Sequence, residues 1–259
     1  MALNVLQLEI FLLIIARVAG IFVTVPILSD NIVSRSFKAV FMVTLTFLLW
    51  FVVPFPETRL PNDMLLFMLA VGLEFLIGYI LGSVARIVFT GIEAAGDLMG
   101  AQMGLSVASM LDPTTGRQSV VTARLLRWVV IMIFLLIDGL HFILAALYKS
   151  YDALPLLGVW NFSNAANEIA SMVGTVFSIA VQLAAPVMLV IFLLDFAFGL
   201  ISRVAPQVNV FQLGFQIKPA LGIFIFMLMI PLLMERIMWI INIMVERLTY
   251  VFFYMQPAG

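Results

Sequence analysis

The chain has 259 residues, of which 64% are hydrophobic and only 10% are charged. Its mean hydropathy is +1.19, and a soluble domain of this length could not bury that much apolar surface. The 13 Lys and Arg nearly balance 14 Asp and Glu, so net charge gives no argument for a nucleic-acid partner. The chain has no Cys and one His, which excludes disulfides and sites built from thiolates or several His. We therefore expect an all-α integral membrane protein in contact with lipid, without metal or other cofactor.

Apolar runs follow one another along the chain and predict a single membrane domain over residues 1–259. The predicted spans are 5–28, 39–55, 64–89, 125–148, 169–201, 213–234 and 237–254. Asp63 is expected to cap the third span. The last two runs are separated only by Glu235 and Arg236, and they form either a hairpin or one bent helix.

The segment 96–124 is less apolar and begins with a ladder of small residues. Gly96, Gly100, Gly104 and Ala108 recur every fourth residue, so on a helix they form one flat stripe that permits close packing. A turn-forming loop that contains Asp112 and Pro113 follows. We interpret the segment as re-entrant, because irregular backbone at membrane depth must line protein or a cavity. Ordinary helix packing and an exposed loop are the alternatives.

Four charged residues in or beside apolar runs are expected to be buried and partnered, because unpaired charge in lipid is costly. They are Glu74, Arg86, Asp195 and Arg203. Each acid is followed by an Arg on its own run, but the separations of twelve and eight residues do not place the two members of a pair face to face. We therefore expect cations from other helices or chains, and we predict that both acids are structural charges and not proton carriers.

Catalytic motifs are not recognisable. The residues from Gly104 to Ala108 resemble a nucleophile elbow only distantly, since the strand context is missing. Asp138 and His141 are three residues apart within a predicted span and form either a proton relay or a structural polar contact. The sequence therefore predicts that the chain is not an enzyme.

A short polar elbow joins two long apolar runs between Pro186 and Gly222, and its length makes the two flanking helices neighbours. Amide side chains in so apolar a chain must find partners when they are buried. We predict that the elbow is an assembly site, formed by Pro206, Gln207, Asn209, Phe211 and Lys218.

The elbow, from Pro206 to Phe211 with Gly214 and Lys218, resembles the signature of the FliR family of bacterial type III protein export. Further matching pieces occur in the same order along nearly the whole chain. They are Arg17 to Pro26, Glu74 with Gly78 and Gly82, Gly100 to Ser106, Asp112 with Gly116, Asp138 to His141, and Ala185 to Arg203.

The resemblance implies a structural subunit of the export gate, in the bacterial inner membrane at the flagellar basal body. FliP-like and FliQ-like subunits, with an FlhB-like subunit, are the implied partners, and unfolded secreted proteins are the implied substrates. The implied fold consists of bent helical hairpins, FliP-like in the first part and FliQ-like in the last part. The re-entrant segment corresponds to the family's plug, which closes the channel. The implied plug residues are Gly104, Leu105, Ser106, Met110, Leu111, Asp112, Pro113, Gly116 and Arg117.

A secondary transporter of a small solute is the alternative. In that hypothesis the intramembrane acids are coupling sites and the glycine-rich segment is a broken helix. It predicts clear inverted repeats, whereas the only internal similarity is a weak one between residues 73–86 and 194–203.

Overall fold

The computed structural model describes residues 5–30, 33–54, 61, 63–106, 120–158 and 162–255, and this part of the chain contains α-helices and no β-strand. The all-α fold class is therefore confirmed. The helices are α1 (Val5–Thr24), α2 (Pro26–Ser29), α3 (Arg35–Trp50), α4 (Met64–Gln102), α5 (Val121–Leu136), α6 (Gly139–Ala153), α7 (Phe162–Val204) and α8 (Val210–Met255).

The first two predicted spans are shorter as helices than the apolar runs that predicted them. The run 5–28 is interrupted at Val25, whose backbone is extended with ψ of 123°, and Pro26 then starts the short α2. A proline fits this position because the first helical N–H has no partner inside a helix. In α3 the side chain of Ser34 accepts a hydrogen bond from the Phe37 N–H at 3.3 Å, which sets its start four residues earlier than predicted.

The third predicted span, 64–89, continues without a break to Gln102. Asp63 caps it as expected, because its carboxylate accepts a hydrogen bond from the Leu65 N–H at 3.0 Å. The first two members of the glycine ladder, Gly96 and Gly100, therefore lie on α4 and not on a separate segment. The fall in hydropathy after residue 89 reflects small side chains that pack against protein, and it does not mark the end of the helix.

The fourth predicted span, 125–148, is two helices. α5 ends at Leu136, and Asp138 adopts the left-handed conformation with φ of 57° before α6 begins at Gly139. Asp tolerates this conformation better than most residues. Asp138 therefore lies in the break between helices, whereas the sequence analysis placed it with His141 inside one continuous span. Both residues are exposed in the chain.

The last two predicted runs, 213–234 and 237–254, belong to one helix, α8. Of the two alternatives for Glu235 and Arg236, the hairpin is wrong, since both residues are exposed positions within the helix. Proline occurs inside both of the longest helices, once in α7 and twice in α8. Each proline removes one intrahelical hydrogen bond and favours a kink there.

Four helical segments of the described chain are long and apolar enough to cross a membrane. They are Leu6–Thr24, Met64–Gln102, Ala170–Val204 and Val210–Val245. The number becomes five if α5 and α6 are counted as one broken span. The chain is thus a multi-pass membrane protein by length and composition of its helices.

Two compact units can be distinguished. Unit 1 comprises residues 1–87, 137–172 and 242–259, and unit 2 comprises residues 88–136 and 173–241. In unit 1, α1 contributes the fully buried Leu13, Ile14 and Val18, and α4 contributes Ile77 and Leu81. The core of unit 1 therefore forms around α1 and the first part of α4.

Unit 2 has a core of its own around the second part of α4. Phe89 packs edge-on against Phe134 of α5, with ring centroids 5.5 Å apart. Ile191 of α7 and Ile237 of α8 are also fully buried. Each unit thus contains helices that are distant in the sequence.

Candidate functional site

The centre of unit 1 is an ion pair between Arg17 of α1 and Glu74 of α4. The Arg17 Nη2 atom lies 2.5 Å from Glu74 Oε2, and the Arg17 Nε–H donates to the same oxygen at 2.7 Å. The two side chains are only 0% and 3% exposed. Glu74 is thus buried with a cation from another helix, as predicted, and the cation is Arg17.

The remaining donors of Arg17 bind α6 and the turn after it. Nη1 donates to the carbonyl and the hydroxyl oxygens of Ser150, both at 3.1 Å, and Nη2 donates to the Leu154 carbonyl at 3.0 Å. The guanidinium also lies over the ring of Tyr151, 4.3 Å from its centroid. The Arg17 cluster consists of Arg17, Glu74, Ser150, Tyr151 and Leu154. Nearly all N–H groups of its guanidinium donate hydrogen bonds.

Small residues bring α1 and α4 close enough for this pair to form. A Cβ atom added to Gly78 would overlap the carbonyl of Arg17, and one added to Gly20 would overlap the carbonyl of Phe75. A Cβ atom on Gly82 would overlap the Thr24 hydroxyl. The glycines that accompany Glu74 in the sequence therefore serve helix packing.

A second ion pair lies beside the elbow in unit 2. The Lys218 Nζ atom of α8 is 2.5 Å from Asp195 Oδ1 of α7, and the two side chains are 27% and 43% exposed. The pair lines a cavity of about 450 Å³ together with the aromatic residues Phe198, Phe211 and Phe215. Asp195 thus has a cation from the facing helix, and that cation is one of the residues predicted for assembly.

The predicted elbow, Pro206 to Lys218, comprises the connection 205–209 and the first turns of α8, and most of its side chains are on the surface. Pro206, Gln207 and Asn209 are exposed, and Phe211 is 74% exposed. The Asn209 side-chain oxygen accepts a hydrogen bond from the Gln212 N–H at 3.1 Å, so that Asn209 caps α8. This residue has a local structural role that the sequence analysis did not assign to it.

The chain is tightly packed in unit 2 on both sides of the predicted plug. After the plug, at the start of α5, the Thr122 hydroxyl donates to the Gly96 carbonyl of α4 at 2.6 Å, and a Cβ atom on Gly96 would overlap Ala123. Immediately before the plug, Met103 is fully buried against Gly222 of α8, where a Cβ atom would overlap the Met103 side chain.

Gly104, where the predicted plug begins, has φ of +78°, which favours glycine. Leu105 and Ser106 follow it and are half-buried. The remaining predicted plug residues lie outside the described residues. They are Met110, Leu111, Asp112, Pro113, Gly116 and Arg117.

The other two residues expected to be buried charges are on the surface of the chain. Arg86 and Arg203 are both exposed, so only Glu74 of the four is buried within the chain itself. Sequence analysis also missed a polar contact at the far end of the α7–α8 hairpin, where Arg236 donates to the side-chain oxygen of Gln182 at 2.9 Å. Arg236 stacks on Trp239 at 4.1 Å from the ring centroid.

In the described part of the chain, no group of three or more His, Asp or Glu side chains could hold a metal ion. The polar groups that the structure brings together instead connect helices to one another, within each unit. Fold and site thus define a multi-pass helical membrane protein whose charged residues organise its helices.

Comparison with known proteins then identifies the family. Residues 8–243 match the family described as bacterial export proteins, family 1. The chain is 32% identical over 221 residues to the flagellar biosynthetic protein FliR of Bacillus subtilis, covering 82% of each chain. It is 31% identical to FliR of Pectobacterium carotovorum, covering 84% of this chain and 82% of the relative. The Yop proteins translocation protein T of Yersinia pestis is also 31% identical, with 82% of each chain covered.

The chain belongs to the bacterial export proteins of family 1. The resemblance to the FliR family is therefore confirmed. These relatives are named for flagellar biosynthesis and protein translocation, and they give no support to the alternative of a small-solute transporter.

Proposed function

We propose that this chain is a structural subunit of a type III protein export gate, in the inner membrane at the bacterial flagellar basal body. With FliP-like, FliQ-like and FlhB-like subunits it forms the closed channel through which unfolded secreted proteins pass. The family match over residues 8–243, with FliR and Yop translocation relatives of nearly the same extent, is the observation that carries the proposal. The subunit acts as part of a channel wall and performs no catalysis.

The surface of the α7–α8 hairpin supports an assembly role. Large apolar side chains on both helices face outward, among them Phe192, Phe196 and Phe224, which are 64%, 62% and 55% exposed. At the end of α7, Val204 is 85% exposed. Lipid or a neighbouring subunit must cover such a surface, because an isolated patch this apolar is unstable in water. The polar elbow favours a neighbouring subunit over lipid, because its amide side chains require hydrogen-bonding partners that lipid chains lack.

We also propose that residues 104–117 close the channel. Two contacts of the described residues support this proposal. Met103, just before the segment, packs against Gly222, and Thr122, just after it, is hydrogen-bonded to Gly96. Gly104 allows an abrupt change of chain direction. Deleting residues 110–116 should leave assembly intact and let small ions pass, as measured by conductance of the purified complex in a planar bilayer. A deletion variant that assembles and stays ion-tight would place the seal elsewhere.

The proposed role is tested by purifying an affinity-tagged chain from cells with and without the neighbouring export genes. The expected result is one stable complex that contains the FliP-like and FliQ-like subunits, together with restored protein export in a strain that lacks its own family member. A chain that never binds these subunits, and that transports a small solute when reconstituted alone, would overturn the proposal.

A further inference from the structure

Both members of the buried ion pair in unit 1 also hold the five-residue turn 154–158 that follows α6. The Arg17 guanidinium donates to the carbonyls of Ser150 and Leu154 at the end of α6, and the Ser150 carbonyl also accepts from the Leu154 N–H at 2.9 Å. On the other side of the turn, the second oxygen of Glu74, Oε1, accepts from the Leu157 N–H at 3.4 Å. The turn is thus held at both ends by one pair of charges from α1 and α4.

The turn needs this support because its backbone is strained. Leu157 has φ of 64°, in the left-handed region that is unfavourable for a residue with a branched side chain. Leu154 and Leu156, which both precede Leu157 in the turn, are buried, so the turn cannot relax without exposing apolar side chains. A contact to the Leu157 N–H therefore stabilises a conformation that the local sequence disfavours.

We propose that Arg17 and Glu74 act as a latch that holds residues 154–158 in this conformation and thereby fixes where α7 begins. Gly158 and Phe162 are only four residues apart. An extended chain of that length spans at most about 14 Å, so the position of the turn restricts the start of α7. The latch thus links α1 to the start of α7 within unit 1.

The geometry of the pair suits a latch and does not suit a proton carrier. Each Glu74 oxygen already accepts a hydrogen bond, Oε2 from Arg17 and Oε1 from Leu157. The N–H groups of Arg17 are each directed at an oxygen of Glu74, Ser150 or Leu154. Lysine could not replace it, because a single ammonium group cannot reach the carboxylate and two separate carbonyls in the same plane.

The test uses the absence of Cys from the chain. A single reporter, Leu156→Cys, places a thiol at a position that is only 3% exposed. Its rate of labelling by a maleimide is measured in the full chain in membranes. Arg17→Lys and Glu74→Met, which leaves the Leu157 N–H without an acceptor, should each raise the rate about tenfold, a change of the size expected when a left-handed residue loses its support. The matched controls are Arg35→Lys and Glu9→Met, which should leave the rate unchanged.

The decisive variant is Leu157→Gly, because glycine adopts a positive φ without cost. Added to Glu74→Met, it should return the labelling rate to within about twofold of the reporter alone, since the turn then needs no support. Amide hydrogen exchange of residues 150–158 in the chain without the reporter provides the same comparison if Leu156→Cys prevents folding.

The proposal is overturned if Glu74→Met leaves labelling and exchange of the turn unchanged, or if Leu157→Gly fails to restore protection. Neither outcome depends on the export-gate role, because the turn is observed in the chain itself. A chain that shows the expected labelling and yet fails to bind its neighbours would contradict the proposed function and leave the latch intact.

Discussion

Two ion pairs of the described residues, Arg17–Glu74 and Lys218–Asp195, have the same closest distance, 2.5 Å, and opposite surroundings. Arg17 and Glu74 are almost completely buried, and their hydrogen bonds are supplied by their own chain. Lys218 and Asp195 are 27% and 43% exposed and lie beside an open cavity at the elbow. The comparison indicates that unit 1 contains a completed polar core, whereas the elbow of unit 2 presents a polar surface that another molecule can cover.

The largest expected effect is the loss of one member of the buried pair. Arg17→Met keeps most of the side-chain volume and leaves the Glu74 carboxylate buried without a cation. Removing one partner of a buried pair costs about 3–5 kcal/mol. Denaturant unfolding of the purified chain measures this, with Arg35→Met at the exposed start of α3 as the control. A loss similar to that of the control would show that the pair is not the centre of unit 1.

The next largest loss of stability is expected when the close packing of α1 against α4 is disturbed. Gly78→Ala places a methyl group on the Arg17 carbonyl, and α1 must move to relieve the overlap, at a cost of about 1–3 kcal/mol. Gly72→Ala is a matched control on the same helix, because nothing lies within 4 Å of the added carbon. Alanine favours helix over glycine, so the control should be neutral or slightly stabilising. Equal unfolding midpoints for the two variants would contradict the close approach of α1 and α4.

A smaller effect is expected at Asn209, whose side chain caps α8. Asn209→Ala should destabilise the hairpin by about 1 kcal/mol, because the Gln212 N–H loses its acceptor. Asn209→Asp retains an acceptor and should unfold at nearly the temperature of the unmodified chain. Asn209→Asp can also reduce subunit binding as much as Asn209→Ala while stability is unchanged. That result would show that the Asn209 amide contacts a partner, in agreement with an assembly site at the elbow.

The smallest effect on stability is expected at the half-exposed pair. Lys218→Ala should cost less than about 1 kcal/mol in the isolated chain, since exposed ion pairs contribute little. The same variant should reduce co-purification with the FliP-like and FliQ-like subunits by more than it reduces membrane insertion. A parallel loss of insertion and co-purification would indicate misfolding and would remove the distinction between the two pairs.

The sequence predicted that Glu74 and Asp195 would each have a cationic partner, but it did not predict which residues these partners are. A buried Glu74 required a cation on general grounds, but Arg17 lies 57 residues earlier, and no local pattern connects the two. The second pair was predictable in principle. Asp195 and Lys218 are nearly equidistant from the elbow, twelve and eleven residues from Gln207, and the helices of a short hairpin bring such positions together.

Hydropathy was a poor guide to the ends of helices in this chain. The small residues after position 89 lower the hydropathy of α4 without ending the helix, since they pack closely against protein and need no apolar bulk. The break at Asp138 was not predicted, because the apolar run around it continues on both sides and the left-handed conformation of one residue has no signature in hydropathy. The connection between α7 and α8 was predicted, because proline and amide residues interrupt an otherwise apolar stretch, but residues 210–218 of the predicted elbow belong to α8.

Coverage of the elbow is the most direct test of the chain as a gate subunit. Phe211 is 74% exposed, and the chain has no other thiol to compete with a single Phe211→Cys. The rate of maleimide labelling is compared in detergent for the chain alone and for the chain purified with the FliP-like and FliQ-like subunits. We expect the thiol to be labelled rapidly in the chain alone and at least tenfold more slowly in the complex, a change of about 1.4 kcal/mol in accessibility. Equal rates in the two samples would show that no partner covers the elbow, and would contradict its role in assembly.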